Sequence, residues 1–296
     1  MTAPDMTSRS LQAASSRRNA IQRLGFAMLA LLAFLTILPI LFIVVFIFWN
    51  GLPALSLDFI FQLPSNGMRS GGILPAILGT VYLTFFTTLF AVPLGIAAAI
   101  YLSEYAPDNR GTRLIRIAII NLAGIPSIVY GLFGLGIFVL FFNLGTSILA
   151  ASLTLAIMTL PVVISTAEEA LRAVPQAFRV VSISLGATQW QTIRQIVLPQ
   201  SLPGILTGVI LGLERAAGET APILFTGAAF YLPRLPNSPM DETMALPYHL
   251  YVISTQVPGM PVEVQYGTAL VLLILVLGLN LLATIIRSRA RARRQW

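Results

Sequence analysis

A single arginine stands inside a long apolar stretch. Arg215 falls about midway through residues 200–227, with Glu214 beside it and Glu219 four residues on, which on a helix is the same face. A guanidinium in the middle of a membrane helix costs about 2.5–3.5 kcal/mol on insertion scales, so such a residue faces the bundle interior. There it either marks the pathway of a polar solute or pairs with an acid that only fixes the bundle. Thr220 adds a hydroxyl next to Glu219, and Pro222 has no N–H to give to the Gly218 carbonyl, so backbone is freed one turn from the charges.

Other chemistry is poorly supplied. The chain has no Cys, and all 18 of its basic residues are Arg. A phosphate-binding loop of the G-x-x-x-x-G-K-[ST] type is therefore excluded, as are disulfides, thiolate nucleophiles and Cys-ligated metals. The lone His249 cannot build a multi-His site, its only acidic neighbours in sequence are Asp241 and Glu242, and it is expected at a surface or helix cap in an outer loop. No cofactor or metal is expected, and no enzymatic activity. Nucleic acid is not an expected partner either, because the arginines flank apolar segments and do not form a patch with interleaved aromatics.

The elements that would hold Arg215 are membrane helices. Of 296 residues 56% are hydrophobic and 10% charged, against about 25% charged in a typical soluble protein. Apolar blocks long enough to cross a bilayer predict an all-α polytopic protein of six spans, at about 25–49, 73–102, 114–142, 146–167, 200–227 and 266–286. They form a transmembrane domain over 25–286, preceded by an arm, 1–24, and followed by a basic tail, 287–296, suited to anionic membrane lipids. Fifteen of the arginines lie in the arm, in 103–116, in 168–199 or in the tail; 50–72 and 228–265 hold only Arg69 and Arg234. The positive-inside rule then puts both termini and 168–199 in the cytoplasm. Small or hydroxylated stripes, Ala76/Thr80/Thr84/Thr88 in the second span and Ser127/Gly131 after Pro126 in the third, suit close helix packing.

The 168–199 connection is patterned as two short helices. Pro175 suits a first turn, Phe178, Val181, Ser182 and Leu185 recur on one face, and Gly186 can take the left-handed conformation that ends a helix. Thr188 with Gln191 reads as a capping box, and the second helix is expected to stop at Pro199. An exposed apolar face of this kind marks a protein-binding surface.

Gly186, nine residues, Ile196, one residue and Leu198-Pro199 resemble the second half of the EAA loop of bacterial ABC importer permeases. The neighbouring segments Gly71–Ile77, Asn121–Gly134, Leu185–Ile193, Glu214–Pro222 and Ala245–Tyr251 make residues 70–286 resemble the PstA-type phosphate permeases, within the MetI-like binding-protein-dependent permease family. The family's Glu-Ala-Ala falls on Val180-Val181-Ser182, so its acidic residue is Val180 here.

The resemblance implies the MetI-like permease fold in a bacterial inner membrane and a subunit that forms half of a phosphate pathway. It implies four kinds of partner chain and surroundings: a second, PstC-like permease, two PstB-like cytoplasmic ATPases, a PstS-like periplasmic phosphate-binding protein, and membrane lipids. Phe178, Val181, Ser182, Leu185 and Gly186 would couple to the ATPase. Arg215, Glu214, Glu219 and Thr220 would line the substrate path. A permease for sulfate or molybdate is the nearest alternative, and a membrane-embedded enzyme acting on lipid phosphate a more distant one.

Overall fold

The computed structural model describes residues 6–292. Residues 1–5 and 293–296, and the side chains of 6–18, 20, 21 and 290–292, lie outside the described residues, and with them Arg9, Arg17, Arg18, Arg291, Arg293 and Arg294 of the arm and tail.

Helices dominate. In chain order they are α1 (Met6–Gly51), α2 (Leu57–Phe61), α3 (Leu74–Ile100), α4 (Arg110–Ala123), α5 (Ser127–Gly134), α6 (Ile148–Arg172), α7 (Gln176–Ser184), α8 (Gln189–Thr192), α9 (Leu198–Gly218), α10 (Ala221–Thr226), α11 (Leu246–Thr255) and α12 (Val262–Ala292). A two-residue hairpin, β1 (Pro64–Ser65) and β2 (Ser70–Gly71), sits between α2 and α3. Three π-helical stretches, Tyr101–Tyr105, Leu135–Phe141 and Ile193–Val197, extend α3 and α5 and join α8 to α9.

Five described helices are long and apolar enough to cross a membrane, and a sixth span results if α4 and the helix from Ser127 to Phe141 count together. Those two are bent by 101°. The sequence predicts a kinked span over 114–142. The observed break is sharper because Gly124, Ile125 and Pro126 leave the helical path, and Pro126 supplies no amide to rejoin the two halves.

The most buried span is α6, which packs against α3, α9, α4, α5 and α10. Glycines and small residues permit that closeness. A Cβ on Gly95 would meet the Val163 side chain, and one on Gly208 would overlap Thr166. The hydroxyl stripe of α3 is buried and mostly self-satisfied, with Thr80, Thr84 and Thr88 each donating to the carbonyl four residues back. Thr80 does more, since its hydroxyl also accepts from the Leu246 amide at 2.8 Å and so starts α11 against α3.

Gly79 is what lets that contact form. A Cβ there would overlap the Met244 carbonyl and the Thr243 hydroxyl, both of them backbone-anchored and buried. Gly79→Ala should therefore push α3 from the 243–246 segment and destabilise the purified chain by about 1–3 kcal/mol, read as a lower midpoint in thermal unfolding. An unchanged midpoint would mean that the contact yields freely.

The connections gather into two ends. At one, Tyr231 donates to the Pro64 carbonyl, Arg69 to the Pro258 carbonyl, and Thr146 to Glu242, which ties the hairpin, the α5–α6 turn and the 228–261 segment together. At the other, the α3 terminus, α4, the α6 terminus and the α7–α8 knob meet through charged side chains. By contrast the apolar part of α1, residues 25–49, is largely exposed, and α1 packs chiefly on α12, with Phe46 edge-on to Tyr266.

Candidate functional site

Residues 200–227 are not one continuous helix. α9 ends at Gly218, Glu219 is extended (φ −75°, ψ 139°), and α10 starts again at Ala221 with Pro222 in its first turn. Arg215 is thus not midway along a continuous helix, as its place in 200–227 suggests, but in the last turn of α9. Pro222 is the reason, since it cannot donate to the Gly218 carbonyl. A cation in a last turn also opposes the partial negative charge of the free carbonyls there.

Arg215 Nε lies 3.5 Å from Glu219 Oε1, with the two side chains 29% and 17% exposed. The contact is a single, loose one compared with a bidentate pair, so the guanidinium keeps donors free. Glu214 and Thr220 flank it, both half-buried. α5 approaches this break at Gly131, where a Cβ would stand 3.0 Å from Pro222 Cα and 3.1 Å from the Ala221 carbonyl. One residue earlier, buried Tyr130 donates to the Leu122 carbonyl at 2.8 Å and lies within the field of Arg215. Tyr130 escaped the sequence reading; its place one residue before a small-residue packing step was the available signal.

At the other end of the bundle the knob has its capped form. Gly186 is left-handed (φ +88°) with open space around it, so its conformation and not crowding calls for glycine. Both halves of the Thr188–Gln191 capping box are formed. Phe178, Val181 and Leu185 are exposed, Leu185 at 83%, as are Val180, Ile183 and Trp190.

Two expectations about the knob need correction. Ser182 is only 6% exposed and shares a 2.8 Å hydrogen bond with Thr192, so it turns inward and joins α7 to α8. Pro199 does not stop the second helix, which runs on from Gln189 to Gly218. The π turn at Ile193–Val197 widens the helix just before the proline, with the Leu198 amide reaching back to Ile193, and this absorbs the missing donor.

His249 is buried at 3% exposure in α11, not at a surface, and its Nδ1 has no hydrogen-bond partner. Asp241 pairs with Arg234 and Glu242 with Thr146, so neither acid orients the ring. Among the described residues no cluster of His, Asp and Glu could hold a metal ion. Burial lowers the imidazole from 6.5 to about 4, so it is neutral in the fold. The unfolded chain takes up a proton that the folded one refuses, and stability is lost as pH falls from 6.5 towards 4. His249→Gln should flatten the pH dependence of the unfolding midpoint between pH 7 and 5. An identical slope in the variant would place the acid sensitivity elsewhere.

Residues 91–294 match the family described as the binding-protein-dependent transport system inner membrane component. The chain belongs to that family. Among relatives of this permease is the probable ABC transporter permease protein YqgI of Bacillus subtilis, 36% identical over 254 residues, or 80% of this chain and 85% of that one. The probable phosphate transport system permease protein PstA of Methanocaldococcus jannaschii is 34% identical over 252 residues, covering 84% and 87%. The phosphate transport system permease protein PstA 1 of Mycobacterium tuberculosis is 37% identical over 227 residues, covering 76% and 73%.

The permease fold is that of solved ABC importers. The methionine transporter MetNI in inward-facing conformations matches with a TM-score of 0.61 at 19% identity, over 74% of this chain and 95% of that one. A bacterial ABC transporter that imports the acidic polysaccharide alginate matches with a TM-score of 0.61 at 17% identity, over 93% and 99%. This permease is a multi-pass, non-catalytic inner-membrane subunit, and in such systems it works with a second permease, a separate ATPase and a substrate-binding protein.

Proposed function

We propose that this permease carries inorganic phosphate inward, with its termini and the α7–α8 knob cytoplasmic and the hairpin end facing outward. The observation that carries the reading is the helix break that holds Arg215 beside Glu219 between α9 and α10. A guanidinium with free donors at a break in a membrane helix suits an oxyanion, to which it can give parallel charge-assisted hydrogen bonds. Glu219 holds the cation while no anion is present, and a single loose contact is easily exchanged for substrate. The phosphate permeases among the relatives favour phosphate over other oxyanions.

A PstS-like protein would deliver the anion to the hairpin end, a PstC-like permease would supply the other half of the path, and PstB-like ATPases would grip Phe178, Val181 and Leu185 from the cytoplasm. Gly186 sets the angle between α7 and α8, and Ser182 holds them together through Thr192. The meeting of the arginine-bearing 103–116 and 168–199 segments at one end of the bundle supports the orientation.

The test is uptake of radiolabelled phosphate by vesicles holding the full complex, loaded with ATP and given the binding protein outside. Uptake that unlabelled phosphate suppresses and equimolar sulfate or molybdate does not is the expected result. Suppression by sulfate or molybdate instead would identify a different oxyanion.

A further inference from the structure

One guanidinium ties the ends of three helices together beside the knob. Arg179 of α7 gives a fork of hydrogen bonds to Glu104, Nε to Oε2 at 3.1 Å and Nη2 to Oε1 at 2.7 Å. The same side chain donates to the Leu171 and Val174 carbonyls at 2.9 and 2.7 Å, closing the terminus of α6. Glu104 belongs to the π turn that ends α3, and the two side chains are only 8% and 12% exposed. Gln189 of α8 donates to the Glu104 carbonyl at 2.7 Å. Two knob side chains, Arg179 and Gln189, therefore land on one residue of the α3 terminus.

The same turn is held from the other side by Arg116 of α4, which donates to the Leu102 carbonyl at 2.7 Å and to Glu168 of α6 at 2.8 Å. Between these holds lies a cavity of about 930 Å³, lined by Glu104, Arg116, Arg172, Arg179, Gln189 and other residues. Beside the apolar cluster of Ala99, Leu171, Val174 and Val197, α7 bonds the α3 terminus through the fork, so a push on α7 acts directly on Glu104. A planar guanidinium on a carboxylate fixes direction as well as distance, which a single hydrogen bond or a lysine does not.

We propose that Arg179 and Glu104 are a positioning pair, the joint by which the knob moves the α3 terminus when ATP acts on the docked ATPase. The inference rests on the reading of the knob as the ATPase-docking element. In this chain the acidic partner of the coupling segment is then internal, contributed by α3, while the position where the family motif carries its acid is the exposed Val180.

The joint is tested by hydrogen exchange on the whole complex in lipid nanodiscs, with and without ATP, alongside uptake per ATP hydrolysed in vesicles. In the native complex ATP should change exchange in both 176–184 and 98–106. With Glu104→Gln the change in 176–184 should persist, that in 98–106 should vanish, and uptake per ATP should fall at least tenfold. Glu104→Cys with Arg179→Cys, joined by a short bis-methanethiosulfonate that forms a disulfide to each thiol with loss of methanesulfinate, should recover both readouts and lose them again on reduction. An ATP response in 98–106 that survives Glu104→Gln, or is absent from the native complex, overturns the proposal. So does a complex that fails to assemble with Glu104→Gln and is not recovered by the cross-linked pair, because the fork would then be structural only. A native complex with both exchange responses but no phosphate uptake refutes the phosphate reading alone, and one in which bound ATPase leaves 176–184 unprotected refutes the docking reading.

Discussion

Replacing Arg215 by Gln should leave the complex assembled and reduce phosphate uptake by about ten- to hundredfold. Gln keeps hydrogen-bonding capacity and approximate length but not the charge. A hydrogen bond to a charged group contributes about 1.5–3 kcal/mol, and each 1.4 kcal/mol is a factor of ten. The loss should appear in uptake at fixed expression, with basal ATP hydrolysis retained. Failure to assemble would instead identify the Arg215–Glu219 contact as a fixture of the bundle, since removing one member of a buried pair strands the other. The variant pair Arg215→Gln with Glu219→Gln separates the two cases. It removes the stranded carboxylate, so assembly should return if the pair is structural, while uptake should stay low if the cation serves the anion.

Val181→Asp should abolish uptake in a chain that still inserts and folds. Val181 is exposed on the outward side of α7, so a carboxylate there costs the isolated subunit little. At a docked contact the same carboxylate is stripped of water without a partner, which weakens the interface by about 2 kcal/mol or more, roughly thirtyfold in affinity. The measurement is the ATPase retained on purified complex together with substrate-stimulated hydrolysis. Val180→Glu puts an acid where the family motif carries one and should be tolerated, which makes it the control for charge as such. Intact uptake with Val181→Asp would remove α7 from the docking surface.

Features decided within a few residues were legible in the chain. Gly186 and the Thr188–Gln191 box depend on a single turn of backbone, and both have the expected form. Arg215 was conspicuous because a cation in an apolar segment has few reasons to be there. Its exact setting was not, because the end of α9 depends on Pro222, which lies well inside the segment that length and composition read as one span. Pro199 misled in the opposite direction: a proline ends a helix only if the backbone cannot adapt, and the π turn before it adapts. Ser182 shares the helical spacing of Phe178 and Val181, so periodicity alone groups the three. Its partner Thr192 lies beyond a turn whose angle no local pattern states. The Glu104–Arg179 pair was out of reach for the same reason, being 75 residues apart in sequence. His249 reads as a residue of an outer loop because nothing near it in sequence states the packing of α11 against α3, and in the fold it is buried.

The central claim is that the charge at position 215 lies on the path of the anion, and the absence of native cysteine from this chain allows it to be tested directly. Arg215→Cys, assembled in the full complex and assayed for phosphate uptake, is treated with a cationic aminoethyl thiosulfonate or with a neutral methyl thiosulfonate. The predicted result is that the untreated variant is inactive, the cationic reagent restores a substantial part of uptake while the neutral one does not, and phosphate slows modification of the thiol. Equal effects of the two reagents, with a modification rate indifferent to saturating phosphate, would contradict the claim and leave Arg215 as a member of a buried ion pair only.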